Sequence, residues 1–403
     1  MTRLRVLVLL ATAVLAAGAA APATAQVQAA IPPSEPIITW AASADFTLTR
    51  VTNQTVRNVM RTSVGGRGLQ VSLSNAHGSS PVTFNAVSVG IALDDGGVKA
   101  ASLQPATFGG SPSVTVPPGG EVLSDYLRGF LHPGTAIAVS VYVEGDIRRA
   151  TGHNLALTET YLSTPGNHTL DADAASYPSS IDSWVFVESL VVTRGLPLST
   201  VAALGDSITD GVGSTFGADN RWTDYLAERI LQRPSTAQAG IANEGISGNR
   251  VLSGGFGQSA LTRFDRDVLN QPGVETVVLL EGINDINTGA SATELIEGYR
   301  ELIARAHADD TCIVGGTLTP NEGGDAGREA QRQAVNDFVR ASGEFDGVID
   351  FDGVIDFDAA VRDPSNPRLF LPAYDSGDGL HPSDAGYAAM AAAVPLRVLS
   401  CDR

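Results

Sequence analysis

The texture of the chain changes near residue 195, and that change restricts the fold more than any other feature. From Ile37 to Thr193 the sequence consists of short runs rich in β-branched residues, with Gly, Pro, Asn and Asp clustered between them. The runs are Leu69–Leu73, Val82–Leu93, Ser113–Val116, Ala136–Val143, Leu155–Leu162 and Trp184–Val192. Several alternate apolar with polar residues, as in Val71-Ser72-Leu73-Ser74, which places one face of a strand inward and the other outward. Residues 36–194 are therefore predicted to form an all-β sandwich of the jelly-roll kind. From residue 198 onward, strand and helix patterns alternate. The predicted strands are Thr200–Leu204, Gln238–Ala242, Thr276–Leu280, Thr311–Leu318 and Val348–Phe357. The predicted helices are Trp222–Gln232, Gln258–Leu269, Ala292–Ala308, Gly327–Ala341 and Ser383–Leu399, with Pro395 shortening the last. Leu295, Ile296, Tyr299, Leu302 and Ile303 mark one apolar helical face. Such alternation implies a parallel sheet with helices on both faces over residues 198–403, an α/β domain behind a β-sandwich.

The first residues carry a different signal. Arg3 and Arg5 precede the apolar stretch Val6–Ala17, and Ala23-Thr24-Ala25 is a small-residue cleavage site. Residues 1–25 are expected to be a secretory signal peptide cut near Ala25-Gln26, so the protein is expected to be secreted, to the periplasm or beyond the cell. No later stretch is long and apolar enough to predict stable membrane insertion. The net charge of −18, with Lys99 the only lysine, argues against binding nucleic acid or anionic lipid. After export the two cysteines, Cys312 and Cys401, can oxidise. If the last helix runs antiparallel to the strands, both sulfurs lie at the same end of the sheet and form a disulfide.

The chemistry is concentrated where predicted strands end. Ser207 lies in Gly205-Asp206-Ser207-Ile208-Thr209, directly behind the apolar run Val201–Leu204. A serine at that place is held rigidly and faces solvent, as a nucleophile requires. His77, His132, His153 and His168 fall in the β-rich half, and His307 ends an amphipathic helix where a cation is favourable. His381 differs. It sits in Asp378-Gly379-Leu380-His381-Pro382, where Asp378 can accept from Nδ1 and Pro382 starts the last helix and stiffens the backbone. Gly248, after the second strand, offers an amide that a substrate can approach closely. Asn284, after the third, offers an uncharged side-chain donor. Taken singly, each of these segments also reads as an ordinary turn.

Together, Gly205-Asp206-Ser207, Gly248, Gly282-Ile283-Asn284-Asp285 and Asp378-Gly379-Leu380-His381 resemble the four sequence blocks of the GDSL, or SGNH, serine hydrolases. Ile208 stands where the family name has leucine. The resemblance covers roughly residues 198–403. It implies a flavodoxin-like three-layer α/β/α fold and ester hydrolysis with no cofactor and no metal. By position, it implies Ser207 as nucleophile, His381 as general base and Asp378 as the carboxylate that orients it. The Ser207 amide, the Gly248 amide and the Asn284 side chain would form the oxyanion hole. Thr62-Ser63-Val64-Gly65-Gly66 and Leu73-Ser74-Asn75-Ala76-His77-Gly78 resemble the N-terminal domain of secreted bacterial members of the family.

Other chemistries fit less well. Gly211-x-Gly213 lacks a third glycine at 216, which excludes a dinucleotide fingerprint. No Gly-x-Ser-x-Gly elbow and no His-Glu-x-x-His occurs. The expected substrate is a small-molecule or carbohydrate ester with a short acyl or acetyl group. The rival readings are a carbohydrate-binding protein with an inactive hydrolase-like domain, and a lipase or lysophospholipase of the same family. A hexapeptide, Phe345–Asp350, is repeated at once as Phe351–Asp356. Six is even, so the duplication keeps the inward pattern of a strand, and one copy is expected to form the strand while the other lengthens its loop.

Overall fold

The computed structural model describes residues 36–45, 49–194, 198–346 and 354–400. The expected signal peptide and Cys401 lie outside them. Among the described residues, two short two-stranded antiparallel sheets and two large ones form the N-terminal half. One orders strands Pro36–Ala41, Val187–Thr193, Gly66–Ser74 and Glu121–Leu123, with Leu127–Leu131 also pairing Gly66–Ser74. The other is six-stranded and centres on Val51–Arg61 and Ala136–Ile147. Their facing side chains, among them Val56, Leu73, Val139, Val141 and Leu190, form a buried apolar core. Val51–Arg61 did not stand out in the sequence because its interior carries Arg57 and Asn58, both fully buried. Arg57 is satisfied by Ser140 Oγ and by the carbonyls of Gly96 and Asp171, and its guanidinium lies 3.8 Å from the Tyr177 ring centre. A polar residue made buriable by such partners breaks the alternation on which strand recognition depends.

The second half is built on five parallel strands: β1 (Thr200–Gly205), β2 (Gly240–Gly245), β3 (Val274–Leu280), β4 (Cys312–Gly316) and β5 (Val354–Ile355). Their order across the sheet is β2-β1-β3-β4-β5, the flavodoxin-like arrangement. Eight helices accompany them among the described residues: α1 (Ser207–Asp210), α2 (Trp222–Leu231), α3 (Ala260–Phe264), α4 (Ile283–Asn287), α5 (Ala292–Ala308), α6 (Ala326–Ala341), α7 (Phe357–Val361) and α8 (Asp384–Ala393). Helices α2, α7 and α8 pack together, as do α3, α5 and α6, which gives the three layers. Helix α5 spans the predicted residues. Ser291 and Glu294 cap it reciprocally, and Leu295, Tyr299, Leu302, Ile303 and Ala306 point into the core. The predicted helix Gln258–Leu269 is interrupted instead. After Phe264 the chain widens into a π turn, Asp265–Leu269. Pro395 ends α8 as anticipated, and a 3₁₀ turn, Leu396–Leu399, follows.

The duplicated hexapeptide divides its work. Phe345, from the first copy, is buried beside Gly315, and Asp346 accepts from the Ile313 N–H at 2.7 Å. Val354-Ile355, from the second copy, form β5. Residues 347–353, where the longer loop was expected, lie outside the described residues.

The two halves share packing. Ile38, Ala41 and Val191 of the sandwich belong to the same apolar cluster as Val201, Leu226 and Ile241. Pro36–Ala41 runs beside β2, the edge strand of the parallel sheet, and the Ile38 N–H donates to Thr200 Oγ1 at 3.0 Å. A Cβ on Gly240 would fall 1.8 Å from the Ile38 carbonyl oxygen, so only glycine permits this approach. The sandwich thus covers an edge that would otherwise be open to pairing.

Candidate active site

The site lies beyond the C-terminal ends of β1, β2 and β3. Strand β1 ends at Gly205, where a Cβ would sit 2.6 Å from the Leu280 carbonyl oxygen and 2.2 Å from Thr209 Oγ1. Asp206 then caps α1, accepting from the Ile208 N–H at 3.0 Å. Ser207 opens this short helix, where a first-turn amide has no intrahelical acceptor. Its hydroxyl oxygen lies 2.9 Å from His381 Nε2. His381 Nδ1 lies 2.6 Å from Asp378 Oδ2. A carboxylate only accepts, so Nδ1 carries the proton and Nε2 presents its lone pair to the serine hydroxyl. The loop that holds the histidine is an aspartate turn. Asp378 Oδ1 accepts from the N–H groups of Leu380 and His381 at 2.9 and 2.8 Å. Partial burial pushes the Asp378 carboxyl up, but the hydrogen bonds from the His381 ring and from these backbone N–H groups outweigh it and hold it down to about 2. Pro382 does not start α8. Ser383 is its cap, accepting from the Gly386 N–H, and the proline stands one residue ahead.

Gly248 adopts φ +77°, a left-handed conformation that suits glycine, and the Phe256 ring lies directly against it. Phe256 is 66% exposed, an apolar surface at the rim. Asn284 Nδ2 donates to the Asn249 carbonyl at 3.0 Å, which uses one of its two amide hydrogens.

Three buried aspartates tie these loops together, and none was assigned that work from the sequence. Asp206 reaches Ile208 and the Gly282 N–H, linking the ends of β1 and β3. Burial pushes its carboxyl up to about 7, opposed by those two hydrogen bonds and reinforced by Asp285 and Asp210. Asp285 accepts from the N–H groups of Val251 and Leu252 at 2.9 and 3.1 Å, joining the Asn284 turn to the Gly248 loop. Asp210 accepts from the Ser247 N–H and hydroxyl at 2.9 and 2.5 Å, and its other oxygen meets His153 Nε2 at 2.9 Å. Asp210 was within reach of sequence reasoning, three residues after Ser207 and one helical turn away. His153 carried no such signal, because it belongs to the other half of the chain. Of the remaining histidines, His77 meets the Ala44 carbonyl, His168 meets Asp171 and His307 meets Asp346. Among the described residues, no group of three or more His, Cys, Asp or Glu is arranged to hold a metal ion. Among the same residues, no helix is long and apolar enough to cross a membrane.

Solved structures similar to the chain include a protein described as a lipolytic protein of the G-D-S-L family from Desulfitobacterium hafniense. It is 20% identical, with 50% of this chain and 99% of that chain covered and a TM-score of 0.39. A GDSL-like lipase from Bacteroides thetaiotaomicron is 21% identical, covering 50% and 87%, with a TM-score of 0.36. A catalytic mutant of an acetylxylan esterase from Geobacillus stearothermophilus is 23% identical, covering 51% and 95%, with a TM-score of 0.38. No curated protein matches the chain. Residues 203–389, which hold Ser207, Gly248, Asn284, Asp378 and His381, match the GDSL-like Lipase/Acylhydrolase family, and the chain therefore carries a domain of that family.

Proposed function

We propose that this protein is an exported serine esterase that removes short acyl groups, acetyl foremost, from small-molecule or carbohydrate alcohols through an acyl-enzyme. The observation that carries the reading is the continuous path from Ser207 Oγ to His381 Nε2 at 2.9 Å and from His381 Nδ1 to Asp378 at 2.6 Å. In the first step His381 Nε2 takes the serine proton as Oγ attacks the ester carbonyl. The developing oxyanion is met by the Ser207 and Gly248 amides and by Asn284 Nδ2, each a neutral donor. His381 then returns the proton to the departing alcohol, and water repeats the sequence on the acyl-enzyme. Losing one oxyanion donor costs about 100–1,000-fold in rate.

The test compares hydrolysis of p-nitrophenyl acetate by wild type and by Ser207→Ala. Equal rates, or none from either protein, would favour the binding-protein reading. A series of aryl esters of increasing chain length, set against acetate release from acetylated xylan and pectin, separates a short-chain esterase from a lipase. A rate that rises steadily toward long acyl chains would overturn the short-acyl assignment.

Export belongs to the same reading and makes a second claim, a Cys312–Cys401 disulfide. Cys312 pairs in register with Thr276, and the Thr276 hydroxyl donates to the Leu399 carbonyl at 3.3 Å. Two residues reach about 7 Å at full extension, a span that supports a bridge from the chain end to Cys312. Alkylation of the denatured, unreduced protein is expected to label no thiol, and two labelled cysteines would remove the disulfide.

A further inference from the structure

We propose that His153, a residue of the sandwich half, is a positioning residue for the hydrolase site, holding the Gly248 loop in place through Asp210 and Ser247. The proposal rests on the serine-esterase reading above. It gives the N-terminal half a part in catalysis rather than mere attachment.

The geometry around the ring is unusual. His153 lies in the short strand Gly152–His153, paired with Trp184–Val185, and its side chain is 3% exposed. Nδ1 lies 2.9 Å from the Ser43 carbonyl oxygen. Nε2 lies 2.9 Å from Asp210 Oδ1 and 3.2 Å from the Leu155 carbonyl oxygen. All three partners can only accept, so both ring nitrogens carry protons and the ring is a cation. Burial pushes the imidazole down, yet the Asp210 carboxylate outweighs it and brings the ring up to about 9. The Trp184 ring packs against the imidazole at 5.6 Å between centres.

Asp210 transmits this anchor. It is the last residue of α1, the helix that Ser207 opens, and its carboxylate is 3% exposed. With Oδ1 held by His153, Oδ2 is left aimed at the Ser247 N–H and hydroxyl. Ser247 directly precedes Gly248. One buried carboxylate therefore directly links the nucleophile's helix to the residue that precedes the amide proposed to meet the oxyanion. Its countercharge comes from 57 residues upstream, outside the family-matched region. Arg221 steadies the same corner, donating from Nε to the Asp210 carbonyl at 2.9 Å. Without the imidazolium, Asp210 loses the partner that fixes its rotamer, and the Gly248 loop loses its reference to Ser207. Displacing a reacting group by about 1 Å can cost about 100-fold.

The experiment uses the full chain and three variants, His153→Leu, His153→Gln and Ser247→Ala. His153→Leu is expected to lower kcat for p-nitrophenyl acetate by about 10- to 100-fold while KM stays within about threefold, a split that general loosening would not produce. His153→Gln, which keeps a donor toward Asp210, is expected to recover most of the loss. Adding Ser247→Ala to His153→Leu is expected to cost less than the product of the two single effects, since both act on one tie. Amide hydrogen exchange gives a readout independent of turnover: the segment around Ser247 and Gly248 should exchange at least about tenfold faster in His153→Leu. Unchanged kcat together with unchanged exchange in that segment would overturn the proposal while leaving the esterase reading intact. A wild type with no Ser207-dependent hydrolysis would fail the esterase reading alone, and the exchange measurement would still decide the role of His153. If His153→Leu does not fold, wild-type kcat in both His153→Gln and Ser247→Ala would be the overturning result.

Discussion

Replacing His381 with alanine should lower kcat for p-nitrophenyl acetate by about four to six orders of magnitude, with KM little changed. The serine hydroxyl is a poor nucleophile until its proton has somewhere to go. Among the described residues, His381, with Nε2 2.9 Å from Ser207 Oγ, is the only side chain hydrogen-bonded to that oxygen. The double variant with Ser207→Ala should be no slower than either single variant, because nucleophile and base act as a unit. Asp378→Ala should cost less, about 10⁴-fold, since the base survives but loses the partner that sets its tautomer. Asp378 also holds the N–H groups of Leu380 and His381, so this variant should lose some loop order as well. Steady-state kinetics on the three proteins checks the series. Retention of more than about a hundredth of wild-type kcat in His381→Ala would remove the assigned base.

The largest expected effect on stability belongs to Arg263. Replacement by methionine should destabilise the protein by about 3–5 kcal/mol, the usual cost of breaking a buried ion pair from one side. Arg263 is fully buried beneath the site. Nε donates to Asn249 Oδ1 at 3.0 Å, and Nη1 donates to Ser43 Oγ, the Glu244 carbonyl and Asp267 Oδ2 at 2.8, 2.7 and 3.1 Å. Nη2 donates to the Gly205 carbonyl at 3.0 Å and lies 3.5 Å from Glu281 Oε2. Burial pushes the Glu244 and Glu281 carboxyls each up to about 8, opposed by Arg263. Burial also pushes Asp267 up, but Arg266 and Arg263 outweigh it and leave it below the usual carboxylate range. Asp267 is thus the ionised partner, which the methionine variant would leave with Arg266 alone. Denaturant unfolding monitored by tryptophan fluorescence measures the change. A loss under about 1 kcal/mol would mean that the surrounding carboxyls neutralise themselves and that Arg263 is not needed. Because Arg263 holds Gly205, Asn249 and Ser43 at once, the same variant should also lose activity.

The sequence pattern reached the architecture because burial writes itself into periodicity. Strand β1 and helix α5 are continuous apolar or amphipathic segments with clear caps, and their bounds were legible to within a residue or so. Where burial involves a charge, the pattern fails. Arg57 hid the long strand Val51–Arg61, and Arg263 with Asp267 hid the π turn that interrupts the predicted Gln258–Leu269 helix. Nothing local in a sequence distinguishes an exposed arginine from a buried one with five partners. Among the site residues, Ser207, His381, Asp378, Gly248 and Asn284 were visible because each sits in a short motif at a strand end or before the last helix. Asp206 and Asp285 were visible only as letters of those motifs, and their cross-links became apparent when the loops were seen side by side.

By itself the sequence determined the class of each half, the parallel sheet and the residues that meet at its C-terminal edge. Those features are local, since apolar spacing, caps and turn residues act within a few positions of one another. Only the tertiary structure decided which groups orient them. His153 lies 57 residues from Asp210 and Ser43 lies 220 from Arg263, and no local rule connects such pairs. Their contact depends on the sandwich seating against the edge of the parallel sheet, where desolvation makes each buried charge require a partner and thereby fixes the partner's place.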